Sequence, residues 1–316
     1  MEDKIIRQLA SVTGAENIRM NESMSSHTTF RIGGPADVFI APRDVRSLCA
    51  ALEVLRQNDV PYFILGNGSN LLVSDAGFRG AVVHIDRDLQ VFDSSDSGCS
   101  VAKEAVGYGI IRAGAGVLLS KIAAEARDRS LTGLEFASGI PGTLGGACVM
   151  NAGAYGGEMK NVLTCVTVLD EDFNVRKISA SELGLGYRTS RIQTEQWIVL
   201  GAEIALAHGD KEQITAQMED LKEKRTTKQP LEYPSAGSTF KRPEGYFAGK
   251  LIDDAGLRGF TVGGAQVSEK HCGFVINRGG ATAADVRELI RRVQDRVYEK
   301  SGVWLEPEIR MLGFDD

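Results

Sequence analysis

The sequence has no run that approaches the roughly 18 consecutive apolar residues of a membrane-spanning helix. Its first residues, MEDKIIRQ, lack the apolar core of a secretory signal. Positive charge is not in excess either, because 36 Lys and Arg face 42 Asp and Glu, for a formal charge of −6. An acidic chain has no overall field that would collect nucleic acid or an anionic membrane. We therefore expect a cytoplasmic protein that binds neither, and the sequence indicates no protein partner.

The sequence also lacks the spacings of metal sites and of disulfide frameworks. The five cysteines are odd in number and scattered, and none forms a Cys-x-x-Cys pair. The four histidines are equally dispersed, with no His-Glu-x-x-His spacing. We predict no metal, and we interpret the cysteines as thiols of the core: Cys49, Cys99, Cys148, Cys165 and Cys272.

Glycine, in contrast, is abundant. It supplies 36 of 316 residues, about 11% compared with roughly 7% in typical proteins. The glycines bunch at 66–68, 107–116, 139–157 and 256–264. Loops of this kind adopt positive φ or let the backbone come close to another group. The clustering therefore indicates binding loops.

Residue patterns divide the chain into regions. The first alternates short strands with a helix from about Asp44, whose Leu48, Leu52 and Leu55 share one face. The second is rich in strands and is interrupted by a helix near 118–129. A chain of this length accommodates two or three domains. We predict an α+β fold with domain boundaries near 84 and 207.

The last hundred residues read as a compact α+β unit. A helix opens at Asp210, with Ile214, Met218 and Leu221 as its expected buried stripe. A strand is expected around 238–240, and helices near 246–255 and 283–299. Thr282 is the predicted N-cap of the final helix.

Two glycine loops are candidate phosphate sites. Gly66-Asn67-Gly68-Ser69-Asn70 directly follows a strand, where successive backbone amides can surround phosphate oxygens. Leu71 stands where a Gly-x-Gly-x-x-Gly fingerprint needs its third glycine, so a Rossmann domain is disfavoured. The stretch 139–146 holds four glycines, a proline and a threonine, so its backbone amides must supply the binding groups. A glycine-rich crossover without a ligand remains the alternative.

Several segments carry a family resemblance: Thr29 to Asp37, 66–72, Gly139 to Tyr155, Gly186 to Arg191, Ala236 to Pro243 and Leu305 to Arg310. In order and over residues 28 to 313, they resemble the UDP-N-acetylenolpyruvoylglucosamine reductases. The resemblance is closer to the shorter subtype, because Arg191 is soon followed by the Trp197 strand. Arg242 also stands where the longer subtype commonly has asparagine. Both differences concern how the UDP portion of the substrate is held.

This resemblance implies an FAD-binding fold of the vanillyl-alcohol oxidase-like (PCMH) type in two subdomains, plus a separate α+β substrate-binding domain. The implied ranges are 1–83, to which 307–316 return, then 84–207 and 208–306. The implied reaction is NADPH-dependent, FAD-mediated reduction of UDP-N-acetylglucosamine enolpyruvate to UDP-N-acetylmuramate for peptidoglycan. Phe30-Arg31-Ile32-Gly33-Gly34 contains no histidine, so we expect FAD to be bound without a covalent link.

The resemblance also implies site residues. The expected FAD contacts are Gly66, Asn67, Gly68, Ser69, Asn70, Leu71, Gly139, Ile140, Gly142, Thr143, Gly145, Gly146, Asn151 and Gly153. The catalytic positions are Arg188 for the substrate carboxylate, Ser238 as proton donor and Glu308 as a positioning or polarising group. Tyr187, Lys228, Arg242 and Arg310 are the expected substrate contacts.

The residues alone leave blander interpretations open. Ser238 suits a turn, Glu308 and Arg310 suit an exposed strand, and the basic run 222–228 suits a solvated helix end. Two other functions also fit the glycine loops. One is a flavin oxidoreductase that acts on an alcohol or hydroxy acid, and the other is a nucleotide-binding regulator without catalysis.

Overall fold

The computed structural model describes residues 1–86, 89 and 107–314. Cys99 lies outside the described residues. The α-helices within them are α1 (Asp3–Thr13), α2 (Val45–Gln57), α3 (Leu119–Asp128), α4 (Leu144–Met150), α5 (Arg191–Thr194), α6 (Lys211–Lys228), α7 (Ala248–Asp254) and α8 (Ala283–Ser301).

The β-strands of the same residues are short apart from β12. They are β1 (Ile18–Ser23), β2 (Pro35–Ile40), β3 (Tyr62–Leu65), β4 (Leu71–Val73), β5 (Phe78–His84), β6 (Tyr108–Gly114), β7 (Leu131–Thr132), β8 (Gly153–Ala154), β9 (Gly157–Glu158), β10 (Leu163–Leu169), β11 (Val175–Ser179), β12 (Ile198–His208), β13 (Ser235–Ser238), β14 (Thr261–Val262), β15 (Ala265–Val267), β16 (Phe274–Asn277) and β17 (Arg310–Leu312).

The chain forms two compact units, each assembled from separate segments. The first comprises Met1–Ile18, Ile40–Asn67 and Val82–Arg225. The second comprises Arg19–Phe39, Gly68–Ala81 and Thr226–Asp316. Among the described residues, no helix has the length and apolarity needed to cross a membrane.

An antiparallel sheet dominates the first unit, in the order β11-β10-β12-β6, with β7 against the end of β12. Most residues of β10 and β12 are buried, as in strands that are covered on both faces. Helix α2 adds its own apolar face, because Leu48, Leu52 and Leu55 are fully buried. Burying each leucine contributes about 1.5–3 kcal/mol.

The predicted start of α2 is confirmed by its cap. The carboxylate of Asp44 accepts from the Ser47 amide at 2.7 Å, and the Ser47 hydroxyl accepts from the Asp44 amide at 3.2 Å. This reciprocal pair satisfies two amides that the first helical turn leaves without partners.

A second sheet has the order β1-β2-β5-β3, and β3 leads directly into the loop 66–70. After the loop, β4 pairs in parallel with β17, so that Arg310 lies opposite Leu71. The C-terminal strand β17 therefore lies beside β4, the strand that directly follows the glycine loop.

The second unit also contains the antiparallel sheet β13-β16-β15-β14. Helix α8 packs its predicted apolar face into the core of this unit, where Val286, Leu289 and Val293 are fully buried. Its predicted N-cap is confirmed, since the Thr282 hydroxyl accepts from the Asp285 amide at 3.0 Å.

Three local expectations need correction. In α6 only Ile214 is buried, whereas Met218 and Leu221 are half-buried, because the rest of this polar helix faces water. The strand expected around 238–240 ends at Ser238, and Phe240 instead forms an isolated bridge with Pro307. The glycine-rich stretch 139–146 contains the start of α4, a helix that the sequence did not predict because glycine has a low helix propensity.

Candidate active site

The loop 66–70 presents a row of backbone donors. In the first unit, the amides of Gly66 and Asn67 donate to no acceptor among the described residues. The Asn67 side chain fixes the loop by donating to the carbonyl of Pro141 at 2.6 Å. A Cβ on Gly66 would lie 2.5 Å from the Thr143 hydroxyl oxygen. Glycine at 66 therefore lets the two glycine loops approach each other closely.

The stretch 139–146 adds donors to the same unit. Within the described part of the chain, the amides of Gly142, Thr143 and Gly146 donate to no protein acceptor. Thr143 is 6% exposed, and its hydroxyl makes no hydrogen bond to a described residue but remains accessible. Amides and a hydroxyl at the start of α4 suit a diphosphate.

Gly145 has a different role. Its amide donates to the Ala115 carbonyl at 2.8 Å, and a Cβ there would lie 2.9 Å from that of Ala115. It therefore packs α4 against the end of β6. Gly139 is exposed, Ile140 is half-buried, and Gly153 begins the β8–β9 hairpin.

The rest of the first glycine loop belongs to the second unit. The Gly68 carbonyl accepts from the Thr29 amide at 3.2 Å, and a Cβ on Gly68 would lie 2.0 Å from the carbonyl oxygen of His27. The amides of Gly68, Ser69 and Asn70 donate to no acceptor in the described ranges. This half of the loop is thus anchored by its carbonyls while its N–H groups stay available.

Ser238 lies at the exposed end of β13, opposite Phe274 of β16. Gly237 has φ +77° and sits at a register shift in this pairing, a geometry that favours glycine. The Ser238 hydroxyl makes no hydrogen bond to another described residue. The position therefore presents a hydroxyl that the fold itself does not use.

The neighbour of Ser238 is held rigidly. Thr239 is 1% exposed, and its hydroxyl accepts from the Val275 amide at 2.9 Å. Its carbonyl accepts from the Glu308 amide at 2.8 Å. The segments that carry Ser238 and Glu308 are therefore hydrogen-bonded neighbours within one unit.

Glu308 and Arg310 also meet the glycine loop. The Asn70 side chain donates to the Glu308 carbonyl at 3.2 Å, and the Arg310 amide donates to the Asn70 carbonyl at 3.0 Å. Burial lowers the pKa of the Arg310 guanidinium from its usual value. The second unit thus brings together Asn70, Ser238, Glu308 and Arg310.

Arg188 is presented by a tight turn in the first unit. Gly186 and Thr189 pair across the turn, and Arg188 holds φ +55°, a strained value for a residue with a side chain. Its guanidinium lies 5.2 Å from the ring centroid of Tyr187, the exposed residue beside it. Ser190 fastens the end of the turn by donating to the Val149 carbonyl at 2.7 Å.

The side chain of Asn151 holds this turn in place. It is 1% exposed, with φ +43°, at the C-cap of α4. Its side-chain amide donates to Glu158 at 2.7 Å and to the Gly186 carbonyl at 3.0 Å, and its oxygen accepts from the Lys160 amide at 2.9 Å. These bonds give Asn151 a positioning role; its expected contact with FAD stays a prediction.

The remaining predicted substrate contacts are exposed. Lys228 ends α6, and Arg242 places its guanidinium 4.0 Å from the ring centroid of Phe247. Among the residues that the structure describes, no group of three or more His, Cys, Asp or Glu could hold a metal ion.

Sequence reasoning missed three residues: Thr239, Ser190 and Arg225. Thr239 and Ser190 lie inside the family segments 236–243 and 186–191, but their roles come from backbone contacts that these segments do not reveal. Arg225 packs against the second glycine loop, its Cδ 3.0 Å from the position of a Cβ on Gly139. It lies in the basic run 222–228. The sequence could have indicated its role, because no acidic residue stands three or four positions away on the helix.

Comparisons with known proteins agree with this geometry. Residues 36–179 match the FAD binding domain family, and residues 229–312 match the family described as UDP-N-acetylenolpyruvoylglucosamine reductase, C-terminal domain. A solved structure of p-cresol methylhydroxylase with substrate bound has a TM-score of 0.55 at 11% identity, over 95% of this chain and 88% of its own. The predicted FAD-binding fold of the PCMH type is confirmed.

Full-length relatives identify the family. The UDP-N-acetylenolpyruvoylglucosamine reductase of Agathobacter rectalis is 50% identical over 313 residues, 99% of both chains. That of Alkaliphilus oremlandii is 51% identical over 310 residues, 98% of both chains. The crystal structure of the Thermus caldophilus enzyme has a TM-score of 0.76 at 35% identity and covers 93% of this chain and 99% of its own. This chain belongs to the UDP-N-acetylenolpyruvoylglucosamine reductase family.

Proposed function

We propose that this protein reduces UDP-N-acetylglucosamine enolpyruvate to UDP-N-acetylmuramate, with NADPH as electron donor and FAD as a non-covalent cofactor. The observation that carries the proposal is the identity of about half of all residues to reductases of this name over 98–99% of each chain. The product is a precursor of peptidoglycan. We place the reaction in the cytoplasm, where nucleotide sugars and NADPH are available.

The chain's own groups suit FAD. Unpaired amides in both glycine loops and the Thr143 hydroxyl are donors for its diphosphate. Bound FAD supplies the hydride chemistry that links NADPH to the enolpyruvyl double bond. The cofactor contacts we propose are those expected from the sequence, with Asn151 and Gly145 holding the loops in place.

We assign proton delivery to Ser238. When a hydride reaches the terminal carbon of the enolpyruvyl group, negative charge develops on the carbon beside the carboxylate, which then needs a proton. The Ser238 hydroxyl is exposed and makes no hydrogen bond within the described residues, so it is available to the substrate. Buried Thr239 holds its backbone in position.

Arg188 and Glu308 complete the proposed chemistry. A guanidinium can bind the substrate carboxylate through two hydrogen bonds and stabilise the charge that develops beside it. The turn fastened by Asn151 and Ser190 directs Arg188 in a strained conformation, which is typical of functional positions. The Glu308 amide donates to the carbonyl of Thr239, the residue next to Ser238, and we propose that the Glu308 carboxylate positions the substrate or assists proton delivery.

We propose Tyr187, Lys228, Arg242 and Arg310 as contacts for the anionic UDP-sugar. Each offers a cation or a phenol, which a net-acidic protein must provide locally. We also retain the division into FAD-binding subdomains 1–83 (with 307–316) and 84–207 and a substrate domain 208–306.

The activity is tested with purified, FAD-reconstituted protein. We expect a yellow protein that oxidises many equivalents of NADPH when the enolpyruvyl UDP-sugar is present and about one equivalent per bound FAD without it. Oxidation of simple alcohols without reduction of that substrate would identify a different flavin oxidoreductase. A colourless protein that cannot be reconstituted with FAD would favour a nucleotide-binding regulator.

A further inference from the structure

Arg225 is a cation without a counter-ion in the described part of the chain. It makes no hydrogen bond or ion pair there, although it is only partly exposed. Other arginines of comparable or greater exposure do pair, such as Arg112 with Glu203 at 3.1 Å and Arg258 with Asp253 at 2.8 Å. The phenol of Tyr155 lies close enough to interact electrostatically with this guanidinium.

The helix that carries Arg225 explains why it is unpaired. Residues three and four positions away on a helix are its neighbours. For Arg225 these are Leu221 and Lys222 on one side and Lys228 and Gln229 on the other. The sequence therefore surrounds this guanidinium with further positive charge and no carboxylate.

Arg225 is also directed toward the second glycine loop. Its Cδ and Nη1 lie 3.0 and 3.3 Å from the position of a Cβ on Gly139. Burial lowers the pKa of this guanidinium, since the charged form loses part of its hydration. A guanidinium that merely complements the C-terminal dipole of α6 would stay solvated.

Removing a charge from water without a partner is unfavourable, so such a group usually has a ligand or a counter-ion. The loop beside Arg225 also carries the amides of Gly142 and Thr143 and the hydroxyl of Thr143, which make no hydrogen bond to a described residue. Amides, a hydroxyl and a guanidinium together match the oxygens of a phosphate.

We propose that Arg225 binds a diphosphate of a nucleotide ligand at the 139–146 loop, and that its charge is compensated only when this ligand is bound. The diphosphates of FAD and of the UDP-sugar share this chemistry. The choice of these two ligands rests on the proposed function, whereas the presence of a phosphate contact rests on the Arg225 geometry alone.

The test compares Arg225→Gln and Arg225→Lys with Lys222→Gln, a matched control that removes an exposed positive charge from the same helix. FAD affinity is measured with apo-protein by the change in flavin fluorescence. UDP affinity is measured by calorimetry with FAD-loaded protein. We expect Arg225→Gln to weaken one of the two by about 10- to 100-fold, corresponding to roughly 1.4–2.8 kcal/mol. Lysine should restore part of it, because it keeps the charge but not the planar fork.

The two arms distinguish the source of the phosphate, since a loss confined to FAD or to UDP identifies which diphosphate Arg225 holds. Melting of the apo-protein separates binding from folding. Because the uncompensated charge destabilises the apo-protein, Arg225→Gln should melt at the same or a higher temperature than wild type. Unchanged affinity for both ligands relative to Lys222→Gln would overturn the proposal, as would an affinity loss matched by a lower apo melting temperature. FAD binding needs no enolpyruvyl substrate, so a failure of the proposed reaction would leave the FAD arm informative.

Discussion

Replacing Asn151 by alanine should destabilise the first unit strongly, because two costs act together. Its side chain makes three hydrogen bonds at 1% exposure, one of them to the carboxylate of Glu158. Two neutral bonds contribute about 1 kcal/mol each and the charged one about 1.5–3 kcal/mol. Alanine at a left-handed position adds about 1–2 kcal/mol. We therefore expect a loss of about 4.5–7 kcal/mol in the free energy of unfolding.

Asp59→Ala is the matched control for the cost of placing alanine in a left-handed backbone conformation. Asp59 lies in the same unit with φ +51°, is exposed, and its side chain makes no hydrogen bond to a described residue. It should lose only about 1–2 kcal/mol. Urea denaturation followed by circular dichroism at saturating FAD measures both variants. If the two free energies of unfolding differed by less than 1 kcal/mol, the hydrogen bonds of Asn151 would not hold the turn that carries Arg188.

The remaining predictions concern catalysis, pH and thiol reactivity. Ser238→Ala should leave reduction of the flavin by NADPH fast but slow its reoxidation by substrate at least 100-fold, because a general acid is lost. Stopped-flow flavin absorbance measures the two half-reactions separately. Equal loss of both would indicate misfolding instead. Burial lowers the pKa of His271 from 6.5, with a smaller effect from Arg258, so the neutral ring is favoured in the folded state. Its stabilising contribution is complete above pH 6.5 and is lost as pH falls through the lower folded value, and the stability of His271→Asn should depend less on pH in this window. Burial raises the pKa of Cys148 to about 12, so iodoacetamide should leave it unmodified in native protein, as peptide mass spectrometry would reveal; rapid alkylation of Cys148 would contradict its burial.

Apolar periodicity and caps predicted the regular elements well where local signals were strong. Helices α2 and α8 begin where Asp44 and Thr282 indicated, because a polar cap and a 3.6-residue apolar stripe act together there. Helix α4 was not predicted, since its first turn contains two adjacent glycines and its stability comes from packing against β6 and β12. In α6 the apolar spacing was real, but the neighbouring elements cover only Ile214.

The site was only partly accessible from the sequence. The glycine loops could be singled out because close backbone approach requires glycine, as at Gly66 beside Thr143. Ser238, Glu308 and Arg188 were identified through family resemblance, since a serine after a glycine is locally an ordinary turn residue. The hydrogen bond from the Glu308 amide to the Thr239 carbonyl joins residues far apart in the chain, and no local pattern encodes it.

Product analysis tests the central claim most directly. FAD-loaded protein is incubated with UDP-N-acetylglucosamine enolpyruvate and NADPH in deuterated water, and the product is examined by mass spectrometry and NMR. We predict UDP-N-acetylmuramate that carries a solvent deuteron on the carbon beside the carboxylate, formed in an amount equal to the NADPH that is oxidised. Unchanged enolpyruvyl substrate, in the presence of protein shown to contain FAD, would contradict the account.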